Sequence, residues 1–322
     1  MDRRPDVTVL ICTRDRARML AGCLEALRAL EPTDGVAWEV VVVDNASRDD
    51  TARVVEAFAA SPGAPTVRFL REDRRGVGFA RKRGLGESRG VLVAYVDDDC
   101  VLRPDWLVAA TRFARDHPRA GAFGGRNELE WEYEPSALLA DYGESFAGQD
   151  WGDRPLSLPD GPYRWLSGAG LVLRREAVVG AAYTERGMLR GRHSGGRGAG
   201  EDAEIQLLVR ERGWETWYSP ALRLTHRIPA ERMRFRHLCV LNHGFGRREP
   251  YLRLLASETP LTFGNRLLAL GWALADLGTV LRRFWKGFVR YRMERPTWVI
   301  RLAHAAGGVE GAVVLLLAGR LR

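Results

Sequence analysis

The sequence predicts an α/β protein, with a mainly parallel, doubly wound sheet followed by a basic, helical C-terminal extension. Three observations carry that prediction. Short apolar, β-branched runs alternate with helix-period segments from Val7 to His117. Aspartates fall at the ends of several of those runs, on the sheet edge where open α/β sheets bind ligands. Beyond Pro229 the alternation gives way to amphipathic, arginine-rich stretches. The chain is therefore divided into 1–228 and 229–322, and the first part into halves of about 1–120 and about 121–228.

The elements follow in order. Val7–Ile11 reads as a buried strand, with helix-period apolar residues after it through Leu30. "WEVVVVD" (Trp38–Asp44) is a second strand. Ser47 and Asp50 form a capping box for a helix through Ala60. Val67–Leu70 is the third strand, a glycine-punctuated helix covers about Gly78–Ser88, and Val91–Val96 is the fourth strand. "RPDWLVAATRFARDH" is the next helix, with Pro104 near its first turn. Asn127–Pro162 is rich in aromatic, acidic and turn residues, and "WLSGAGLVLRREAV" (Trp165–Val178) reads as a turn, a strand and a helix start. "RGRHSGGRGAGED" (Arg190–Asp202) is a glycine-rich loop closed by two acids. Glu201–Gly213 is an amphipathic helix ending at a C-cap glycine, and "WETWYSPALRLTH" supplies one or two short strands ending at His226.

The 322 residues carry a formal charge of +8, which points to an anionic partner such as a nucleotide diphosphate, a phospholipid surface or nucleic acid. Arginines crowd Arg223–Arg253 and Arg282–Arg301. Cys12, Cys23, Cys100 and Cys239 lack paired metal-type spacing and read as free thiols in a reducing compartment. The N-terminus has too short an apolar run for a signal peptide. No stretch reaches the roughly 20 uninterrupted apolar residues of a spanning helix; Leu267–Ala275 and Gly311–Gly319 are too short. The expectation is a cytoplasmic protein, with attachment to the inner face of the membrane left open.

"VLVAYVDDDC" (Val91–Cys100) ends a buried strand on three aspartates. Adjacent carboxylates repel unless something cationic sits against them. A solvated acidic turn is the plain alternative. Asp15 follows the first strand, Asp44 ends the second and Asp97, Asp98 and Asp99 end the fourth, so all share one sheet edge, which favours a site.

"VTVLICTRDR", "VVVDNASRDDT", "GVGFARKRGLGESRGVLVAYVDDDC" and "GAGEDAEIQLLVRERGW", in this order and spacing, resemble the family 2 glycosyltransferases with a GT-A fold over roughly Val7 to Ile228. The resemblance implies an inverting, Mg²⁺- or Mn²⁺-dependent transfer from a nucleotide-diphosphate sugar, with a UDP-sugar favoured, to a hydroxyl acceptor such as a lipid-linked glycan or polysaccharide. Residues 1–120 would form the nucleotide-sugar half and 121–228 the acceptor half. Asp97 and Asp99 match the outer acids of the DxD motif, Asp97 on the ribose and metal side and Asp99 on the metal. Asp98 belongs with the donor-binding residues, or points away from the metal as strand alternation allows. Such a metal prefers carboxylate oxygens and neutralises charge on a departing diphosphate. Thr13, Asp15 and Asp44 match base-recognition positions, where a carboxylate accepts from the imide N–H of uracil or thymine. The alternative for Asp44 is a turn acid bonding its own backbone in "DNAS".

Arg81 matches a basic position near the nucleotide, which Gly76 and Gly78 would let the backbone approach, although Lys82-Arg83 stands where the family often has asparagine. Glu201-Asp202 matches the acidic pair at a helix start, with Asp202 the general base and the preceding glycines free to close over the donor. Complementing the helix dipole is the alternative for both acids. His226 is either a third metal ligand or a structural histidine. His237 and His243 read as surface or acceptor-side residues, and Gly168 and Ala169 as walls of the acceptor pocket.

Two other classes compete. A nucleotidyltransferase would carry a basic, glycine-rich loop after the first strand, whereas "CTRDRARM" follows here and the next glycine is Gly22. A non-catalytic binder of anionic ligands or nucleic acid lacks a recognisable signature, and the acids would repel phosphate without a metal. No nucleic-acid partner is expected. "LRRFWKGFVRYRM" (Leu281–Met293) places aromatics among cations, as interfacial helices do. Residues 261–322 are therefore expected to attach to an anionic membrane surface or, alternatively, to pack within the protein or form a homodimer.

Overall fold

Valine-rich runs form the centre of a nine-stranded sheet in the computed structural model, which describes residues 4–30, 35–158, 164–179, 200–257, 259–290 and 295–318. β1 (Val7–Thr13), β2 (Trp38–Asp44), β3 (Thr66–Arg71) and β4 (Leu92–Asp97) pair in parallel in the order β3–β2–β1–β4. Alternate residues face opposite layers. Val9, Ile11, Val40 and Val42 meet Leu20, Leu24 and Leu27 of α1 (Ala17–Arg28) and Val55 and Phe58 of α2 (Thr51–Ala59). Leu10, Val41, Val43 and Tyr95 meet Ala80 and Leu85 of α3 (Val77–Glu87) on the other side. Burial on both faces explains why these strands read as continuous apolar runs.

Beyond Asp97 the sheet becomes mixed. β5 (Cys100–Leu102), α4 (Trp106–Asp116), β6 (Ala120–Trp131), α5 (Ala137–Asp141), a 3₁₀ turn at Gly143–Phe146, β7 (Leu156–Leu158), β8 (Val172–Arg174), α6 (Arg175–Val178), α7 (Glu201–Glu211) and β9 (Glu215–Ile228) follow. The order is β3–β2–β1–β4–β8–β6–β9–β5, with β7 on β9. β8 is antiparallel to β4 and β6, and β5 and β7 are antiparallel to β9. The parallel, doubly wound pattern thus holds for the first four strands, and β6 and β9 add a further parallel pair among the antiparallel ones.

Three local expectations are corrected. "WETWYSPALRLTH" belongs to one strand of 14 residues, held extended by parallel pairing with β6. The register slips between Gly124↔Tyr218 and Arg126↔Arg223, so Pro220 falls in an irregularity that needs no ladder N–H. Ser47 and Asp50 do not cap α2. Asp49 Oδ1 accepts from Thr51 N (3.2 Å), while Ser47 Oγ accepts from Asp15 N (2.9 Å). Finally, the helix Pro296–Leu317 is long and apolar enough, at 22 residues and a mean hydropathy of 1.5, to cross a membrane by length and composition. His304 and the glycines interrupt its apolar run but not its helix.

The C-terminal helices are α8 (Phe235–Ala256), α9 (Phe263–Arg290) and α10 (Arg295–Ala318). α10 meets α8 backbone to backbone. A Cβ on Gly307 would lie 2.0 Å from the His243 carbonyl oxygen, and one on Gly311 1.9 Å from that of Arg247. Two apolar clusters cross residue 228: Leu139 and Phe146 pack with Leu238, Leu241 and Ile300, and Ala203 and Leu207 pack with Tyr251, Leu252, Leu254 and Leu315. In "LRRFWKGFVRYRM" the side chains after Trp285 lie outside the described residues.

Candidate active site

A cleft of about 1270 Å³ opens at the carboxyl ends of β1 and β4. The register that sets Thr13 beside Asp44 and Cys12 beside Asp97 explains why the strand-end acids gather at this edge. Thr13, Asp15, Arg81, Asp97, Asp98, Asp99, Gly168, Ala169, Glu201, Asp202 and His226 all line the cleft. Asp44 does not. It is buried, its Oδ1 accepts from Ser47 N (2.9 Å) and its Oδ2 lies 3.4 Å from Arg71 Nη1. The turn role weighed for Asp44 is therefore the one observed for Oδ1. Val77 and Ala80 line the cleft instead of Gly76 and Gly78, and Gly76 N donates to Asn45 Oδ1 (2.7 Å).

The acidic triplet is neutralised by side chains from distant elements. Arg16 donates through Nη1 to Asp98 Oδ1 and through Nη2 to Asp99 Oδ2 (2.8 Å). Thr13 Oγ1 donates to Asp98 Oδ2 (2.6 Å), which keeps Asp98 turned toward β1. Burial pushes the Asp98 carboxyl up to about 7, against the opposing pull of Arg16. Burial acts the same way on Asp99, but His226, Arg16 and Arg232 together outweigh it and hold Asp99 well below the usual carboxylate range. Asp97 is partly exposed, and its Oδ1 accepts from Arg81 Nη2 (3.0 Å).

His226 reaches the triplet because β9 pairs with β5, in a register that places it opposite Cys100. Its Nδ1 lies 2.8 Å from the Phe146 carbonyl oxygen, so that nitrogen carries a proton. Its Nε2 then faces Asp99 Oδ1 at 3.1 Å, with both side chains buried. In a neutral imidazole two lone pairs would oppose each other there, and Arg232 Nη1, 3.5 Å from Nε2 and 3.0 Å from Asp99 Oδ2, is the cation that stands against both. The spacing also suits neighbouring ligand atoms on an ion held at about 2.1 Å. Cys100 offers a third atom, the three lying within 4.8 Å of one another, and burial raises its thiol well above its ordinary value. The group at ligand spacing is therefore Asp99, Cys100 and His226, of which a hard cation favours the oxygen and nitrogen donors; Asp97, partly exposed and bonded to Arg81, is not among them.

The other wall is built from Trp165 to Ala169 and the start of α7. Gln206 accepts from Leu166 N (2.9 Å) and donates to Leu166 O (2.9 Å). Asn127 Nδ2 donates to Ala169 O (3.1 Å), and Gln149 Oε1 accepts from Ser167 N (3.0 Å). Gly168 admits Arg81, whose Nη1 would lie 2.8 Å from a Cβ there. Arg81 donates to Glu201 Oε1 (3.0 Å), so it ties Glu201 to Asp97. Asp202 points into the cleft, accepting from Gly168 N (3.3 Å) and lying 3.5 Å from Arg248 Nη1.

Arg16, Arg232, Arg248, Asn127, Gln149 and His304 went unrecognised in the sequence. Only the arginine density after Arg223 hinted at Arg232 and Arg248. His243, by contrast, pairs with Glu310 (3.2 Å), and His237 lies against the Phe146 ring; neither lines the cleft. Residues 190–199 of the glycine-rich loop lie outside the described residues.

The strand order and the strand-end acids define a GT-A type α/β protein. The same fold is found in the mannosyltransferase PcManGT of Pyrobaculum calidifontis, solved with GDP-Man and Mn²⁺, at a TM-score of 0.57 and 21% identity over 96% of this chain and 88% of that one. Residues 8–167 match the family profile described as glycosyl transferase family 2, and the chain belongs to that family. The succinoglycan biosynthesis protein ExoO of Rhizobium meliloti (strain 1021) is 42% identical over 108 residues, which are 33% of this chain and 29% of that protein. The glucosyl-dolichyl phosphate glucuronosyltransferase of Haloferax volcanii is 27% identical over 129 residues, 39% of each chain. The chain thus spans well under half the length of these relatives.

Proposed function

We propose that the chain transfers a glycosyl group, with inversion, from a nucleoside-diphosphate sugar, with uridine as the nucleoside, to a hydroxyl acceptor. In the single displacement the acceptor oxygen bonds to the anomeric carbon as that carbon's bond to the diphosphate oxygen breaks. The acceptor proton passes to Asp202, and the nucleoside diphosphate leaves with the bonding pair. The observation that carries this reading is the position of Asp202: it shares the cleft with Asp97, Asp98 and Asp99 and is fixed by Gly168 N. Glu201 is buried against Arg81 at 3.0 Å, whereas Asp202 is the more exposed of the two, with Arg248 at a looser 3.5 Å, which favours Asp202 as the proton acceptor.

Thr13 and Asp15 would border the nucleoside, with Asp44 supporting the loop behind them. Asp99 and His226 would hold Mg²⁺ or Mn²⁺, which supplies positive charge to the departing diphosphate when bound. Arg232, 3.0 Å from Asp99 Oδ2, stands where it would add a second positive charge. The wall from Ser167 to Ala169 would receive the acceptor and exclude water. The mannosyltransferase that shares the fold was solved with GDP-Man, which accords with a nucleoside-diphosphate sugar as donor but carries guanosine rather than uridine.

Calorimetric titration of uridine, guanosine and thymidine diphosphate sugars, with and without Mn²⁺, tests the donor half. The uridine donor is expected to bind only with metal, and Asp99→Asn to abolish that dependence while the fold persists. Equal donor and metal binding by parent and variant would overturn the assignment of Asp99.

A further inference from the structure

α9 is a two-faced helix. Toward the protein, Ala269 and Trp272 pack with Leu207, Leu252 and Leu254, Ala273 is buried, and Asp276 pairs with Arg253 (3.1 Å). On the opposite side Phe263, Leu267, Leu274, Leu281 and Trp285 are exposed. Their spacings of 4, 7, 7 and 4 residues keep all five on one stripe of a helix with about 3.6 residues per turn. At about 1.5 Å per residue the stripe runs about 33 Å. None of the five lines the cleft, and a row of large apolar side chains in water marks an interaction surface.

The charges of α9 say what that surface meets. Its sequence carries Arg266, Arg282, Arg283, Lys286 and Arg290 against the single acid Asp276, and that acid is turned inward to Arg253. Arg266 and Arg282 flank the stripe near its two ends. Among the described residues neither has a carboxylate at ion-pair distance; Arg282 Nη2 donates to Thr279 Oγ1 (3.3 Å). An apolar row edged by cations, with no outward acid of its own, complements hydrocarbon beneath a layer of negative charge. A second copy of the chain fits worse. Antiparallel pairing of two stripes would bring Arg266 of one copy against Arg282 of the other, and parallel pairing would set like on like, with no acid in either row to answer them. Nor does α10 compete for the role. Pro296–Leu317 has the length of a membrane span, but Glu310 pairs with His243 (3.2 Å) and Arg247 (3.3 Å), and Gly307 and Gly311 lie against the α8 backbone, which keeps α10 in the fold.

We infer that the outward stripe of α9 is a docking surface for an anionic lipid bilayer. The helix lies flat on it, with Phe263, Leu267, Leu274, Leu281 and Trp285 at the acyl boundary and Arg266 and Arg282 at the headgroup phosphates. The inward side of α9 keeps its packing, so docking asks for no rearrangement of the fold. The inference stands apart from the transfer reading: it names a surface on which the chain sits, and neither its donor nor its acceptor.

Co-sedimentation of the full chain with vesicles tests the surface, comparing phosphatidylcholine alone with equal parts of phosphatidylcholine and phosphatidylglycerol. At low salt the parent is expected to bind the anionic vesicles roughly tenfold more tightly than the neutral ones, and to bind them less as salt rises. The Leu274→Glu, Leu281→Glu pair sets two carboxylates on the stripe at exposed positions. It should abolish pelleting while the melting temperature stays near the parent's. Arg282→Glu should remove most of the preference for anionic vesicles; should the leucine pair lower the melting temperature, this variant alone decides. Uridine-diphosphate-sugar affinity should match the parent's in each variant, so a failure of donor binding speaks only to the transfer reading. Absence of pelleting by the parent at low salt overturns the inference. So does pelleting that the folded variants leave intact, or pelleting that resists high salt and carbonate, the mark of a spanning helix. A dimer in sedimentation velocity that the leucine pair dissolves, in a parent that ignores vesicles, would give the stripe to a second copy instead.

Discussion

In the parallel half of the sheet, side chains enter the cleft from the ends of neighbouring strands: Thr13 from β1, and Asp97 from β4 with Asp98 and Asp99 just beyond it. In the mixed half they enter from the middle of a strand, from a helix start and from beyond the sheet. His226 sits within β9, Asp202 opens α7 and Arg248 reaches in from α8. The first half assembles an anionic edge by the register of β1, β2 and β4. The second half supplies the groups that face that edge, and it does so only when β9 pairs with β5 and α8 packs against α7. One half gathers charge and neutralises part of it through Arg16 and Arg81, and the other adds His226 and Arg232 and carries the proposed proton acceptor.

The widest separation of the two halves is expected at Asp202. Asp202→Asn removes a proton acceptor while leaving the strand-end acids untouched. Turnover should fall about 10²- to 10⁴-fold, with donor affinity close to the parent's in calorimetry. A matching loss of donor affinity would mean that the mixed half binds the donor as well, and the division of labour would fail.

The parallel half was legible because its signals are local. Continuous apolar, β-branched runs made Val7–Ile11, Trp38–Asp44 and Val91–Val96 readable as strands, and the strand-end rule then grouped Asp15 and Asp97 to Asp99. Asp44 obeyed the rule in position but not in orientation, since its side chain turned to the Ser47 backbone. The neutralising partners were illegible for the converse reason. Arg16 and Asp98 are 82 residues apart, and Arg232 and Asp99 are 133 apart. No periodicity marks one arginine among many as the one that a strand pairing will bring to an acid. The extension was only half legible: packing within the protein stood beside membrane attachment and a homodimer as readings of 261–322, and the small residues of α10 that allow contact with α8 carry no charge signal that would favour one of them.

Arg81 stands on the seam between the halves, bonding Asp97 on one side and Glu201 on the other. Arg81→Met would leave a buried Glu201 without its cation. Breaking a buried pair costs about 3–5 kcal/mol, and the partial exposure of Asp97 places the loss toward the lower end. Urea unfolding should show the shift. A variant as stable as the parent would mean that the halves are joined by packing alone. Smaller again is the effect expected at the edge of the second half. Gly307→Ala forces α10 away from the α8 backbone at a cost of about 1–3 kcal/mol, visible as a lower melting temperature. An unchanged melting temperature would show that α10 adds no stability to the folded unit.

The finest test concerns how α8 steadies α7. Tyr251 is buried, and its hydroxyl donates to Glu204 Oε1 at 2.6 Å, one helical turn after Glu201-Asp202. Burial, reinforced by the Glu204 charge, pushes the phenol above its ordinary value, so Tyr251 stays protonated and remains the donor. Tyr251→Phe keeps the ring and its packing and removes only that bond, a loss of about 1.5 kcal/mol for a hydrogen bond to a charged group. If α8 holds α7 in place, the variant should lose that much stability and show turnover lowered a few-fold, with donor affinity unchanged, because the strand-end acids do not depend on the contact. Stability lost with turnover intact would mean that Tyr251 braces the fold without positioning Asp202. In that case Arg248, 3.5 Å from Asp202 Oδ1, would be the remaining contact through which α8 bears on Asp202.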